Sequence, residues 1–356
     1  LVKALQKGLV NFYAPTSINP YIPLAAVGPW VVTSHGAVLH DSGGYGMLGF
    51  GQNPKEITAQ LVKKQVIANV MTASFSQKKM IDALNNEIGS SRAESSSPYE
   101  YLFLNSGSEG VTLASRLSDL NAHNQTKQGG THEGKKCCFL SLKGSFHGRT
   151  DRPAQVSDSC QSIYKSFLSS YQSLDNLVTV LPNNCEELIQ AFAYAKEKGI
   201  FIESFFMEPV MGEGDPGLSI SPEFYQTARE LTKKNGTLLI IDSVQAGFRA
   251  TGYLSLIDYP GFRLLAPPDI EVFSKALNAG QYPLSVIGVS QMVTSFFKVG
   301  IYGNTMTANP RALDIGTSVL ESFSDNLRDN IQKKGLEIIE KFSLLQKRFP
   351  KIITKI

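Results

Sequence analysis

The feature that most constrains this chain is a series of seven short, predominantly apolar, β-rich runs without polar alternation: 101–104, 137–142, 177–181, 201–207, 238–241, 270–273 and 286–289. A strand of that kind needs cover on both faces, unlike the alternating strands of a half-exposed antiparallel sheet. Stretches of helical periodicity, such as 186–198 and 222–234, lie between several of the runs. The pattern predicts an α/β fold: a mostly parallel seven-stranded sheet with helices on both faces. Ligands of such sheets bind beyond the carboxyl ends of the strands. Whatever chemistry the chain performs is therefore expected just after the apolar runs.

Composition narrows the function classes. The 356 residues leave room for one large domain and a smaller one, and 42% hydrophobic against 18% charged residues is ordinary for a soluble protein with a sizeable core. Lysine and arginine (34) exceed aspartate and glutamate (31) by three, and no segment gathers the basic ones. That argues against nucleic acid or a membrane surface as partner. No apolar stretch is long enough for a bilayer, and no signal peptide is visible. Cys137, Cys138, Cys160 and Cys185 lack metal-ligand spacing and read as reduced packing thiols of a cytoplasmic protein, with no metal site. Residue 1 is leucine rather than methionine, so the natural start is left open. The polar segments 89–98 and 121–136 read as surface loops. The expected division is a Gly- and Pro-rich segment 1–70 contributing to a small domain, a large α/β domain 71–310, and a helical stretch 311–356 that begins a carboxyl-terminal small domain.

Three of the runs lead into polar residues of a particular kind. The run 238–241 enters Asp242, which places a carboxylate where ligands bind; alone, a strand-terminal aspartate more often caps a turn. The run 270–273 is followed by Ser274 and Lys275, and a lysine there is ordinarily solvated. After 101–104 come Asn105, Ser106, Gly107, Ser108 and Glu109, a small-residue turn into a helix expected near Glu109. Backbone N–H groups at a helix start, with the hydroxyls of Ser106 and Ser108, make a phosphate cradle. Serine also caps helices that bind nothing. Together the three point to an aldehyde cofactor with a phosphate tail and a basic ring. The aldehyde needs a lysine amine for a Schiff base, and the ring nitrogen needs a carboxylate to stay protonated. A protonated ring then acts as electron sink for a substrate carbanion.

With these residues in place, the sequence resembles the class III aminotransferases, the pyridoxal 5′-phosphate family of ornithine, acetylornithine and 4-aminobutyrate aminotransferases. The resemblance is collinear from about residue 29 to 310. Ile241-Asp-Ser-Val-Gln-Ala-Gly-Phe248 is similar to the family's Asp-Glu-Val-Gln-Thr-Gly-Phe. Phe273-Ser-Lys-Ala276 is similar to the Schiff-base lysine motif, with Pro283-Leu284 following it. The resemblance implies the pyridoxal-phosphate-dependent transferase fold type I, with a smaller domain from the chain ends. It gives Lys275 the cofactor bond and the role of general base, and pairs Asp242 with the ring nitrogen. Gln245 would lie near the ring's phenolic oxygen and Val244 on one ring face.

Asn105-Ser-Gly-Ser-Glu109 resembles the phosphate-binding Asn-Ser-Gly-Thr-Glu, which implies Ser106, Gly107 and Ser108 as phosphate contacts. Ser145-Phe-His-Gly-Arg149 resembles the segment whose aromatic ring stacks on the cofactor, which nominates Phe146, with His147 beside it. Arg149 would take a substrate carboxylate, for which a guanidinium has bidentate geometry. Glu208-Pro-Val-Met-Gly-Glu213 resembles Glu-Pro-Val-Gln-Gly-Glu and implies Glu208 and Glu213 on the substrate side. Gly303-Asn-Thr-Met-Thr-Ala-Asn-Pro310 resembles Gly-Ser-Thr-Phe-Gly-Gly-Asn-Pro. That implies a homodimer in which Thr305 reaches the neighbouring subunit's phosphate.

The implied function is transfer of an amino group from an amino-acid or ω-amino-acid donor to a 2-oxo acid, 2-oxoglutarate by family analogy. The same constellation serves aminomutases and decarboxylases. A non-catalytic, aminotransferase-like binding domain of a larger protein is a third reading. It draws on Ser243 where the family has Glu, a segment 46–54 without the family's two histidines, and the unusual polar loop 121–136; a further departure is Met211 where the family commonly has Gln. Against it, Lys275, Asp242, Gln245, Phe146, Arg149 and Thr305 all survive together. Gly110 stands where the family prefers Ala, which should weaken the first helical turn by about 0.5–1 kcal/mol. The family's carboxyl-terminal domain, with its own substrate-side arginine, is expected beyond Ile356 or absent.

Overall fold

A computed structural model of the chain describes residues 1–10, 21–67, 72–93, 96–354 and 356. The expected division at residue 70 falls outside them. Near the amino terminus, β1 (Pro23–Val27), β2 (Trp30–Thr33) and β3 (Val38–His40) form a small antiparallel sheet. The large sheet comprises β4 (Tyr99–Leu104), β5 (Lys136–Leu142), β6 (Leu177–Val180), β7 (Ile200–Met207), β8 (Leu238–Asp242), β9 (Ile270–Phe273) and β10 (Ser285–Ser290). All seven apolar runs are strands of this sheet. Its order is β4-β10-β9-β8-β7-β5-β6, and only β10 runs against its neighbours.

Burial explains the continuous apolarity. On β8, Leu239 and Ile241 pack on one face with Phe205, Phe224 and Tyr225, while Leu238 and Ile240 pack on the other with Leu113, Ala114 and Leu117. Neither face is left to water, so no residue of the strand is free to be polar until the strand ends. The covering helices are Gly107–Thr126 on one side and Cys185–Glu197 and Pro222–Asn235 on the other. The last of these starts on a Ser221 cap with proline at its first position and stops at Gly236, whose left-handed φ of 71° suits glycine.

Two sequence expectations change. The segment 121–136 is not all loop: the helix runs to Thr126, and Asn121 is buried with its amide donating to the Gly236 carbonyl. Gly110 is not merely a weak helix former. A Cβ there would stand 2.6 Å from Ser285 Oγ and 2.7 Å from Val272 Cγ1, so glycine lets the helix lie directly on β9 and β10. After the sheet, Pro310–Glu321 and Asp325–Arg348 are helical, as the pattern of 311–349 predicts. Among the described residues no helix is long and apolar enough to cross a membrane.

Candidate active site

Segments beyond β4, β5, β7, β8 and β9, joined by the turn 278–283, surround one cavity of about 860 Å³ at the carboxyl ends of the parallel strands. Asp242 ends β8, and Lys275 follows β9 by two residues. Adjacent strands thus bring the two to the same cavity, which both line. Asp242 is 5% exposed; Oδ2 lies 2.9 Å from His147 Nδ1, and Oδ1 accepts from the Val244 N–H at 3.1 Å. His147, itself buried, fixes its backbone through an N–H donated to Ser157 Oγ at 2.8 Å.

Lys275 occupies the left-handed region at φ 46°, a conformation non-glycine residues keep only when the surroundings impose it. Its Nζ donates to Gln245 Oε1. Burial pulls the amine below the usual lysine range; the Asp242 carboxylate opposes that shift and the Arg249 guanidinium adds to it. A lysine so placed reaches its neutral, nucleophilic form at lower pH than a surface lysine.

Another wall of the cavity is built from a helix start. Ser106 caps the helix, its Oγ accepting from the Glu109 N–H at 3.2 Å. The first N–H groups of a helix have no intrahelical acceptor, so Gly107 and Ser108 can turn theirs to an anion. All three residues line the cavity. A Cβ on Gly107 would stand 2.8 Å from Val244 Cγ1, so the backbone is kept bare at that point. Glu109 is spent inside the turn: it accepts from Asn105, from Asn304 Nδ2 at 2.8 Å and from the Tyr302 hydroxyl.

Glu208 follows β7 directly and is buried. Its carboxylate accepts from the Phe146 and Gly212 N–H groups, both at 2.9 Å. Burial pushes its carboxyl up to about 7, His147 working the other way and Asp242 adding to the rise. Phe146, Glu208 and Glu213 line the cavity, whereas Arg149 and Thr305 do not. Arg149 is half-exposed and ion-paired with Glu213 at 2.6 Å, with Nη1 reaching Cys160 Sγ at 3.4 Å. Thr305 is exposed on the segment that follows Tyr302. The cavity also takes in Met47, Asn278, Gln281 and Tyr282, which sequence reasoning did not nominate. Proximity to Lys275 and the Pro283-Leu284 pair was the available signal for the last three. Met47 comes from a distant segment and offered none.

These residues fit pyridoxal phosphate. The cavity presents one amine, the buried carboxylate of Asp242 at the end of β8 and a bare helix start with two hydroxyls, the complement of an aldehyde, a ring nitrogen and a phosphate; Glu208 and Glu213 line it as well. Fold and site together define the pyridoxal-phosphate-dependent transferases of fold type I. Comparison with known proteins takes this further: the family model "Aminotransferase class-III" matches residues 13–356, and the chain belongs to that family. It is 30% identical over 262 residues to the mitochondrial ornithine aminotransferase of Arabidopsis thaliana, covering 71% of this chain and 50% of that protein. It is 26% identical over 277 residues to the acetylornithine aminotransferase of Brucella melitensis, covering 76% and 62%. The chain thus spans between half and two thirds of the length of the curated relatives it matches. Among solved structures, an ornithine aminotransferase from Toxoplasma gondii superposes with a TM-score of 0.75 at 19% identity, covering 97% of this chain and 75% of the other. An S-selective transaminase from Bacillus megaterium gives 0.76 at 16% identity, covering 98% and 77%. At those identities the superpositions speak for the fold alone.

Proposed function

We propose that the protein transfers amino groups from an amino-acid or ω-amino-acid donor to a 2-oxo acid, with 2-oxoglutarate as acceptor. The observation that carries this is the pairing of Asp242 and Lys275 across one cavity. When bound, pyridoxal phosphate supplies an aldehyde carbon that amines bond to and a ring that draws electrons from the carbon bearing the amine. Ser106, Gly107 and Ser108 hold the phosphate, and Phe146 and Val244 confine the ring, with His147 fixing the Asp242 carboxylate. Asp242 keeps the proton on the ring nitrogen. Gln245 accepts from Lys275 Nζ and so orients it, and its amide would be the group to hydrogen-bond the ring's phenolic oxygen. Lys275 would be the residue that holds the aldehyde, and its Nζ, when neutral, would be the base that takes the proton from the substrate's amine-bearing carbon.

Arg149, with Glu208 and Glu213 on the same side, receives a substrate carboxylate, which must compete with Glu213 for the guanidinium. The domain division 1–70, 71–310 and 311–356 belongs to the same reading, as does a cytoplasmic, homodimeric protein in which Thr305 completes the neighbouring site. Support for the dimer comes from the exposure of Thr305 away from its own cavity, and from Phe75 and Val62, which are 90% and 83% exposed. The test is a donor screen against 2-oxoglutarate and pyruvate with the wild type and Lys275→Ala. The variant is expected to lose at least roughly a thousandfold in turnover while keeping part of its cofactor affinity. Full amino transfer without Lys275 would reject the proposal.

A further inference from the structure

Side chains alternate at the end of β8, so that Asp242 lines the cavity and Ser243 turns into the protein. There Ser243 Oγ donates to Glu271 Oε1 at 2.5 Å. Glu271, in the middle of β9, is wholly buried. Its other donors are Ser255 Oγ at 2.5 Å, the Leu256 N–H at 2.9 Å and the Tyr99 hydroxyl at 3.3 Å. A carboxylate in a sheet interior is costly unless fully bonded, and an apolar residue would satisfy the packing at less cost. Four donors converge on this one. Two of the four, Ser243 and Leu256, are the ends of the connection that carries Val244, Gln245 and Arg249. The family's motif has glutamate at position 243, and here serine points its hydroxyl at a carboxylate from the next strand.

We propose that Glu271 supplies from β9 the carboxylate that position 243 lacks, and that by holding Ser243 and Leu256 it sets the aim of Asp242 toward the cofactor ring. It is a positioning residue: it touches neither cavity nor substrate, and acts through the backbone beside Asp242. The proposal rests on the cofactor role of Asp242 given above. Titratable groups facing Glu271 include the phenols of Tyr99 and Tyr101 from β4, of Tyr225 from the helix Pro222–Asn235, and of Tyr259.

The experiment compares wild-type holoenzyme with Glu271→Gln, Ser243→Ala and the exchange pair Ser243→Glu with Glu271→Ser. Three quantities are read: kcat and KM separately, the pH midpoint of the bound cofactor's absorbance change, and thermal unfolding of the cofactor-free protein. Each single change is expected to lower kcat by roughly tenfold or more at little-changed KM and to move the absorbance midpoint. The exchange pair is expected to recover both. Glu271→Gln with wild-type kcat and midpoint overturns the proposal, as does a folded exchange pair without recovery. If Glu271→Gln does not fold, Ser243→Ala carries the test, because it leaves the carboxylate and its three other donors. A wild type that takes up no cofactor sinks this proposal and the function together; an active wild type with indifferent variants sinks this one alone.

Discussion

Lys275 stands between opposed influences, and Arg249 is the one open to a clean test. The Arg249 guanidinium lies against Gly46, whose positive φ of 70° and missing side chain leave it space, and Nη1 reaches the Gln245 carbonyl at 3.5 Å. A cation at that point raises the cost of a second positive charge on Lys275 and so adds to the depression that burial causes. The sign follows: removing the cation must raise the pH at which Lys275 loses its proton. Arg249→Gln is expected to shift that midpoint upward. Labelling of the cofactor-free protein by a neutral amine reagent across pH, read at the peptide containing Lys275, measures it; an unmoved midpoint rejects the role. At this scale the sequence pointed to Asp242 and Lys275 because each stands at, or within two residues of, the end of an apolar run. Arg249, Glu271 and Asn278 were silent, since their importance comes from what approaches them in space from other strands and loops.

The helix Gly107–Thr126 shows how contact between elements reverses a local preference. Alanine at position 110 should favour an isolated helix by about 0.5–1 kcal/mol. Against the sheet, a methyl group would press on Ser285 and Val272 at 2.6–2.7 Å, and overpacking of that kind costs about 1–3 kcal/mol. Gly110→Ala is therefore expected to lower stability by about 1–2 kcal/mol, measured as a lower urea midpoint at unchanged slope; a higher midpoint would mean the helix can lift away freely. The strands of the large sheet were legible as a set because both of their faces are covered. The sheet β1–β3 was not, since its residues are mostly exposed and its burial follows no long apolar run. The polar residues Asn121 to Thr126 concealed the last helical turns, because amides and histidine are as common in loops as on a helix facing other polar groups.

For the whole molecule, the question is whether one chain makes a complete site. Thr305 does not line the cavity of its own chain. If it serves the neighbouring subunit, a mixture of Thr305→Ala and Lys275→Ala chains re-forms one site with both residues intact. Mixed preparations are therefore expected to bind cofactor more tightly at the active half of the sites than Thr305→Ala alone, read by titration of the cofactor absorbance. No gain on mixing would place the threonine's action within its own chain or nowhere. The sequence could suggest this arrangement only through family resemblance, since no pattern in a single chain states which copy a loop will touch.

The reversal of β10 has a consequence for how such a protein can change. Ser285 pairs with Leu104 and Val286 with Phe273, so the chain returns from the lysine to the sheet through a short turn instead of a helix-long crossover. That turn, with Asn278 and Tyr282, lines the cavity that the amine and the helix start also line. Lengthening or rewriting it alters that wall of the cavity while every parallel crossover keeps its register. The shape of the cavity can thus change at the reversal of β10 in the large sheet, while the parallel pairings of β5 to β9 stay as they are.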